Sequence, residues 1–153
     1  MMERGVSAIV GSCSRALVPS VMRAVGYRLA SGGAEITVYL ARSQSRQLLQ
    51  DVADTGRVAV VFSEPSSHLT VQIKSARARV VSLDEGAAAE MARYLAAMEV
   101  QVGLVGFEPR FVQAMLSHDP ADLAGIHLLA DVAFDQTPGP QAGQALRPCT
   151  SAS

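Results

Sequence analysis

Between Leu40 and Gln47 the chain reads LARSQSRQ, which places Arg42, Ser43, Ser45 and Arg46 within one short turn. The run leaves a strand-like segment and enters a helix-like one. Free N–H groups at a helix start, hydroxyls and forked guanidinium groups together suit an anion such as a phosphate. The same residues also describe a capped surface helix with solvated arginines, which is the commoner arrangement. A second polar set lies in LTVQIKSARARVVSL, where Gln72 and Lys74 share one face of a strand. An amide and an ammonium there could hydrogen-bond a polar ligand, although a half-exposed strand with a polar outer face needs none. Ser63 ends the apolar strand RVAVVFSE and faces the strand-end loop. Arg23 and Arg28 lie on LVPSVMRAVGYRLA, where snorkelling at a strand edge is the ordinary explanation. His68, His118 and His127 have no second ligand at metal spacing, so no metal site is expected. Cys13 has no His/Asp pairing and reads as a small buried residue.

The elements that must position these groups are mostly strands. VSAIVG (Val6–Gly11) is a short buried strand, and Leu17–Ala30 mixes β-branched with polar residues. SGGAE is a turn, and EITVYLA (Glu35–Ala41) is a strand rich in β-branched and aromatic residues. Ser43 is a candidate N-cap for a helix that shows Leu48, Leu49 and Val52 on one face and stops at Gly56. In Leu69–Leu83 the apolar positions alternate up to Ile73, then change parity after Ser75. A period of two that slips by one residue predicts a β-bulge or sharp bend, as at a barrel corner. Asp84 is expected to cap a helix running to about Val102 with Met91, Tyr94, Leu95 and Met98 inward. EPRFVQAMLSH makes a second helix with Pro109 in its first turn, and Asp119 and Pro120 open a short helical turn. Ile126–Phe134 is a last strand. With strands first and helices later, parallel α/β units are disfavoured and an antiparallel barrel with helical additions fits best.

At 153 residues the chain is long enough for one domain with its own core. Residues 1–143 are assigned to that domain, and 144–153 to a flexible C-terminal tail. A hydrophobic content of 49% and a mean hydropathy of +0.22 exclude disorder. Only 18% of residues are charged, which suggests apolar surface hidden between subunits. A net charge of −1 gives no electrostatic reason to expect nucleic acid as a partner. No apolar run reaches transmembrane length and no signal-peptide pattern opens the chain, so no membrane partner is expected. Cys13 and Cys149 form no disulfide framework, and a cytoplasmic location is expected.

Three stretches in this order, VSAIVGSCSRALVPSVMRAVGYRL, RVAVVFSEPSSHLTVQIKSARARVV and FDQTPGPQAG, resemble the pyridoxamine 5′-phosphate oxidase-like, FMN-binding split-barrel superfamily. The match is closest to a bacterial subgroup of small proteins and covers most of the chain. It implies a mainly β fold with α additions: a six-stranded antiparallel split β-barrel with two or three flanking helices. It further implies a homodimer with two FMN sites at the interface, each built from both subunits. The phosphate would be held by residues drawn from Arg42, Ser43, Ser45 and Arg46, with Arg28, and more weakly Arg23, near the phosphate or ring edge. Gln72, Lys74 and Ser63 would approach the flavin, whose ring edge or phosphate an amide or ammonium can hydrogen-bond. FDQTPGPQAG is expected to pack over the interface near the cofactor, with Gln136 and Thr137 as its polar contacts. Leu40 stands where many of the oxidases have Thr, and Ser75 where Gly is usual. Trp is absent, so the C-terminal Trp-containing segment that holds pyridoxamine phosphate is missing. The expected function is therefore FMN binding by an oxidoreductase acting on another small molecule. A non-catalytic module for FMN, haem or a deazaflavin is the alternative.

Overall fold

The computed structural model describes residues 5–30 and 32–146. Ten strands and three helices follow in order among them: β1 (Ser7–Cys13), β2 (Pro19–Arg23), β3 (Gly26–Leu29), β4 (Glu35–Ala41), α1 (Arg46–Thr55), β5 (Val58–Ser63), β6 (Thr70–Ser75), β7 (Arg79–Val81), α2 (Ala87–Leu104), α3 (Pro109–Met115), β8 (Leu123–Leu129), β9 (Val132–Asp135) and β10 (Ala145–Leu146). They form two antiparallel sheets, in the orders β10-β9-β6-β5-β1-β2 and β3-β4-β8-β7. The mainly β class and the flanking helices are as the sequence predicts. The strands are divided between a six-stranded and a four-stranded sheet, with no closed barrel, an arrangement like that of a split barrel.

The division arises because the chain changes sheet four times, once through α1 and three times at corners. The amide of Ala24 donates to Ala8 O at 2.9 Å, and that of the next residue, Val25, to Tyr39 O at 2.8 Å. One peptide step therefore carries the chain from β2 in the first sheet to β3 in the second. Ala130 and Asp131 do the same, donating to Ala34 O and Lys74 O respectively. The predicted single strand Ile126–Phe134 is thus two strands in two sheets, as is Leu17–Ala30. The parity change after Ser75 is the third corner, a complete break between β6 and β7. Asp131 fastens two corners together: its Oδ2 accepts the Ala76 amide at 2.7 Å and its Oδ1 accepts the Arg77 guanidinium. The Ala76 N–H, then Arg77, hold this carboxyl below the usual Asp range.

The core lies between the inner faces. Val10, Val60 and Ile73 from the first sheet meet Ile36, Val38, Leu40, Ile126 and Leu128 from the second. Tyr27 joins the layers, edge-on to Phe62 at 5.1 Å and to Tyr94 at 5.3 Å. Burial pushes the Tyr27 hydroxyl up to about 12. Helix α1 buries Leu48, Leu49 and Val52, and α2 buries Met91, Tyr94 and Met98, as their spacing predicts, while Leu95 is half-buried. Strand β4 is buried on both faces from Ile36 to Ala41, because the start of α2 covers its outer side through Ala87 and Met91.

Element ends differ from the sequence reading where a distant partner intervenes. Ser45, not Ser43, is the N-cap of α1, since Ser43 gives both its amide and its hydroxyl to Asp122. Gly86, not Asp84, is the N-cap of α2; Asp84 Oδ1 accepts the Gly86 amide from outside the helix. Asp119 and Pro120 lie in a turn closed by Asp122 N to Asp119 O at 2.9 Å. FDQTPGPQAG folds back as a hairpin, with Ala145 opposite Phe134 and Leu146 opposite Ala133. The pairing therefore extends past Gly143 into the expected tail, of which residues 147–153, Cys149 included, lie outside the described residues.

Candidate functional site

The strand registers set out the outer face of the six-stranded sheet as cross-strand rungs. One rung runs Phe134, Gln72, Val61, Ile9, Arg23; the next runs Val132, Lys74, Ala59, Gly11, Val21. A third carries Thr70, Ser63 and Ser7. The Lys74 rung is low in its centre, where Gly11 faces Ala59, and high at its sides. The result is a largely apolar trough of about 580 Å³, whose lining includes Gly11, Ala59, Val21, Lys74, Val132 and Arg57. Val21 is 67% exposed, unusual for a valine in a strand, so the trough has an uncovered apolar wall.

Lys74 is the cation on the β6 side of the trough, and further polar groups lie on the neighbouring rungs of the same face. The Lys74 ammonium sits 4.9 Å from the centre of the Phe134 ring, a cation–π geometry. Gln136 Nε2 reaches Gln72 Oε1 at 3.4 Å. Ser63 and Thr70 exchange a hydroxyl hydrogen bond at 3.0 Å, and Arg23 donates to Ser7 Oγ at 2.9 Å. Thr137 pins the C-terminal hairpin: its Oγ1 accepts the Thr70 amide at 3.1 Å and its own amide donates to Asp135 Oδ1 at 2.7 Å. Five of the sequence-predicted residues, Ser63, Gln72, Lys74, Gln136 and Thr137, thus lie on or beside adjoining strands of one sheet.

The other five lie elsewhere. Arg42, Ser43, Ser45 and Arg46 occupy the turn between β4 and α1. Arg42 donates to Leu123 O at 3.1 Å, and Ser43 is committed to Asp122. Ser45 is 2% exposed, and its hydroxyl has no hydrogen-bond partner among the described residues. Helix α1 has no side-chain cap and no acidic residue in its first turn. Its dipole and amides are therefore uncompensated by side chains, beside the exposed Arg46. Arg28 belongs to a different place, on the outer face of β3, paired with Asp84 at 2.6 Å.

That pair gives a pH-sensitive contact. The Arg28 hydrogen bond is the main influence holding the Asp84 carboxyl below its usual range, with the Gly86 and Ala87 amides assisting. A depressed carboxyl contributes stability above the ordinary Asp range and loses it as pH falls through the folded value. Arg28→Ala is expected to move the Asp84 midpoint upward, followed by side-chain carboxyl ¹³C shifts against pH. An unchanged midpoint would assign the depression to the amides alone.

Gly11, Ala59, Val21 and Phe134 were not found from the sequence. Each belongs to an alternating strand, but only the register shows that they share a face with Gln72 and Lys74.

No protein-family model and no curated protein matches the sequence. Solved structures do match. HupZ from Group A Streptococcus aligns over 94% of this chain and 98% of its own, with a TM-score of 0.55 at 14% identity. An F420 reductase aligns over 86% and 90%, with a TM-score of 0.54 at 17% identity. A pyridoxamine 5′-phosphate oxidase-related, FMN-binding protein from Nostoc punctiforme aligns over 97% and 89%, with a TM-score of 0.49 at 9% identity. The chain shares its fold with HupZ and the F420 reductase. At these identities the likeness is one of fold. Among the described residues no helix is long and apolar enough to cross a membrane.

Proposed function

We propose that this protein binds FMN as a homodimer and acts as a flavin-dependent oxidoreductase on a small molecule other than pyridoxamine phosphate. The observation that carries this reading is the start of α1, where a buried, unpartnered Ser45 hydroxyl and an uncapped helix end stand beside Arg46. These groups fit a dianionic phosphate, which would accept the hydroxyl, the free amides and the guanidinium. Ser43 and Arg42 would act by fixing the turn through Asp122 and Leu123. The trough on the six-stranded sheet fits a flat ring, with the Lys74 ammonium in its lining and the Gln72 amide on the adjoining rung for its polar edge. The two groups of residues make no polar contact with each other within one copy. A dimer that sets the α1 turn of one copy beside the trough of its partner would unite them, and would cover apolar side chains such as Val21.

When bound, the flavin supplies hydride or electron transfer. The protein's part is to hold the phosphate, to bed the ring on an apolar floor and to place one cation near its edge. The F420 reductase of the same fold suggests a deazaflavin as the competing ring. No histidine is among the described residues lining the trough, so that floor presents no imidazole to a haem iron.

Purified protein is expected to take up FMN, remain yellow after gel filtration and elute as a dimer. Arg46→Ala should weaken FMN binding by about 10- to 100-fold, as for loss of a charged hydrogen bond. It should leave lumiflavin, which has the ring but no phosphate, unaffected. Protein that stays colourless with added FMN overturns the flavin reading. Parallel titrations with F420 and haem show which ring is preferred. Anaerobic mixing with NADH and NADPH then separates an enzyme, whose flavin is reduced, from a binding module.

A further inference from the structure

Nothing in the fold asks for glycine at position 11. Its φ lies outside the positive region, unlike that of Gly5 or Gly56. A Cβ placed there would meet nothing closer than Val21 Cγ2 at 3.7 Å, an ordinary contact. Gly26 and Gly125 are different: a Cβ there would come within 2.8 Å of Met91 and 2.9 Å of Val81. Glycine inside a strand weakens it by roughly 0.5–1 kcal/mol relative to alanine and leaves no side chain to pack. The strand therefore bears that cost without any internal steric or conformational reason. What glycine does supply is outward clearance. Gly11 lies directly opposite Ala59, and these two adjacent positions lower the centre of the rung while Val21 and Lys74 rise on either side. Val21 and Lys74 are three strand spacings apart, about 14 Å.

We infer that Gly11 and Ala59 are the specificity-determining floor on which the planar ring lies flat, at a contact distance that any larger residue at 11 would deny. This rests on the flavin reading and adds to it the surface that selects for a flat tricyclic group. Shape, not hydrogen bonding, does the selecting here, because the floor offers no side-chain donor or acceptor. The polar contacts come from Lys74 in its lining and from Gln72 on the adjoining rung. A ring with substituents standing out of its plane on the buried side would be excluded, whereas substituents along the edge would be tolerated.

The test compares wild type, Gly11→Ala and Gly11→Val, with FMN and lumiflavin as probes. Valine suits a strand, so both variants should fold, with Tm unchanged or raised. Gly11→Val should weaken FMN and lumiflavin binding alike, by about tenfold or more, and Gly11→Ala by less, with the dimer retained. Wild-type binding that Gly11→Val leaves intact overturns the floor and spares the flavin reading. Failure of wild type to bind either probe overturns both. Should ligand-free Gly11→Val lose a dimer that ligand-free wild type forms, a second copy and not a ring packs directly on Gly11, and the floor is overturned. If Gly11→Val does not fold, Gly11→Ala decides by itself: undiminished affinity for both probes overturns the inference.

Discussion

Gly5→Ala is expected to destabilise the protein by about 2–5 kcal/mol, combining left-handed backbone strain with overpacking. Gly5 has φ +80°, and an added Cβ would lie 2.4 Å from the carbonyl carbon of Ala97 and 2.5 Å from its oxygen. Those atoms are helix backbone, in the middle of α2, and cannot rotate aside as a side-chain tip could. The chain can enter β1 only by pressing its own backbone against α2, which glycine alone permits. Urea denaturation and the thermal midpoint, lower by roughly 5–15 °C for a chain of this length, check the effect. Gly33→Ala separates the two causes. Gly33 has φ +70° with nothing within 4 Å of the added atom, so only the strain of about 1–2 kcal/mol applies. Equal costs at the two positions would show that the Ala97 contact carries no weight.

Phe62→Ala should be of similar size, about 3–5 kcal/mol, the usual loss for a fully buried phenylalanine. Phe62 is 0% exposed, and it faces Tyr27, which in turn meets Tyr94 of α2. The three rings connect the first sheet, the second sheet and the helix, so truncating the first leaves a void at the meeting point of all three. Phe62→Leu keeps most of the volume and should cost clearly less. With no Trp and three Tyr in the chain, the near-ultraviolet circular dichroism reports these rings directly. Its tyrosine band should weaken in Phe62→Ala even where the protein remains folded. A stability change below about 1 kcal/mol would mean that the inter-sheet ring cluster is not a main support.

What could be read from the sequence was what neighbours in the chain decide. The Leu48, Leu49, Val52 face of α1 and the inward Met91, Tyr94, Met98 line of α2 follow from helical spacing. Alternation in β6 and its change after Ser75 were equally local signals. What escaped was settled by residues far away in the chain. Ala130 and Asp131 carry no punctuation that would divide an apolar run. The strand divides there because Lys74 and Ala34 accept successive amides from opposite sheets. Ser43 looks like a cap, yet Asp122, 79 residues on, takes its hydrogen bonds. The candidate site follows the same rule. The chemistry-bearing residues of the α1 turn and of β6 were visible, while the Gly11–Ala59 floor depended on the pairing of β1 with β5.

The three corners also govern how the chain can reach this state. Because each long segment serves both sheets, neither sheet is a contiguous piece of chain. Strand β8 lies between β4 and β7, and β9 completes the far side of a sheet that begins at β1. A ribosome-bound chain that stops before β8 holds both sheets unfinished, with β4 and β7 lacking the strand that pairs them. Such a topology has high contact order, with loop closure required before its contacts form, and this predicts slow, all-or-none folding late in synthesis. A nick between α3 and β8 would therefore release the two halves together, rather than leave one of them standing.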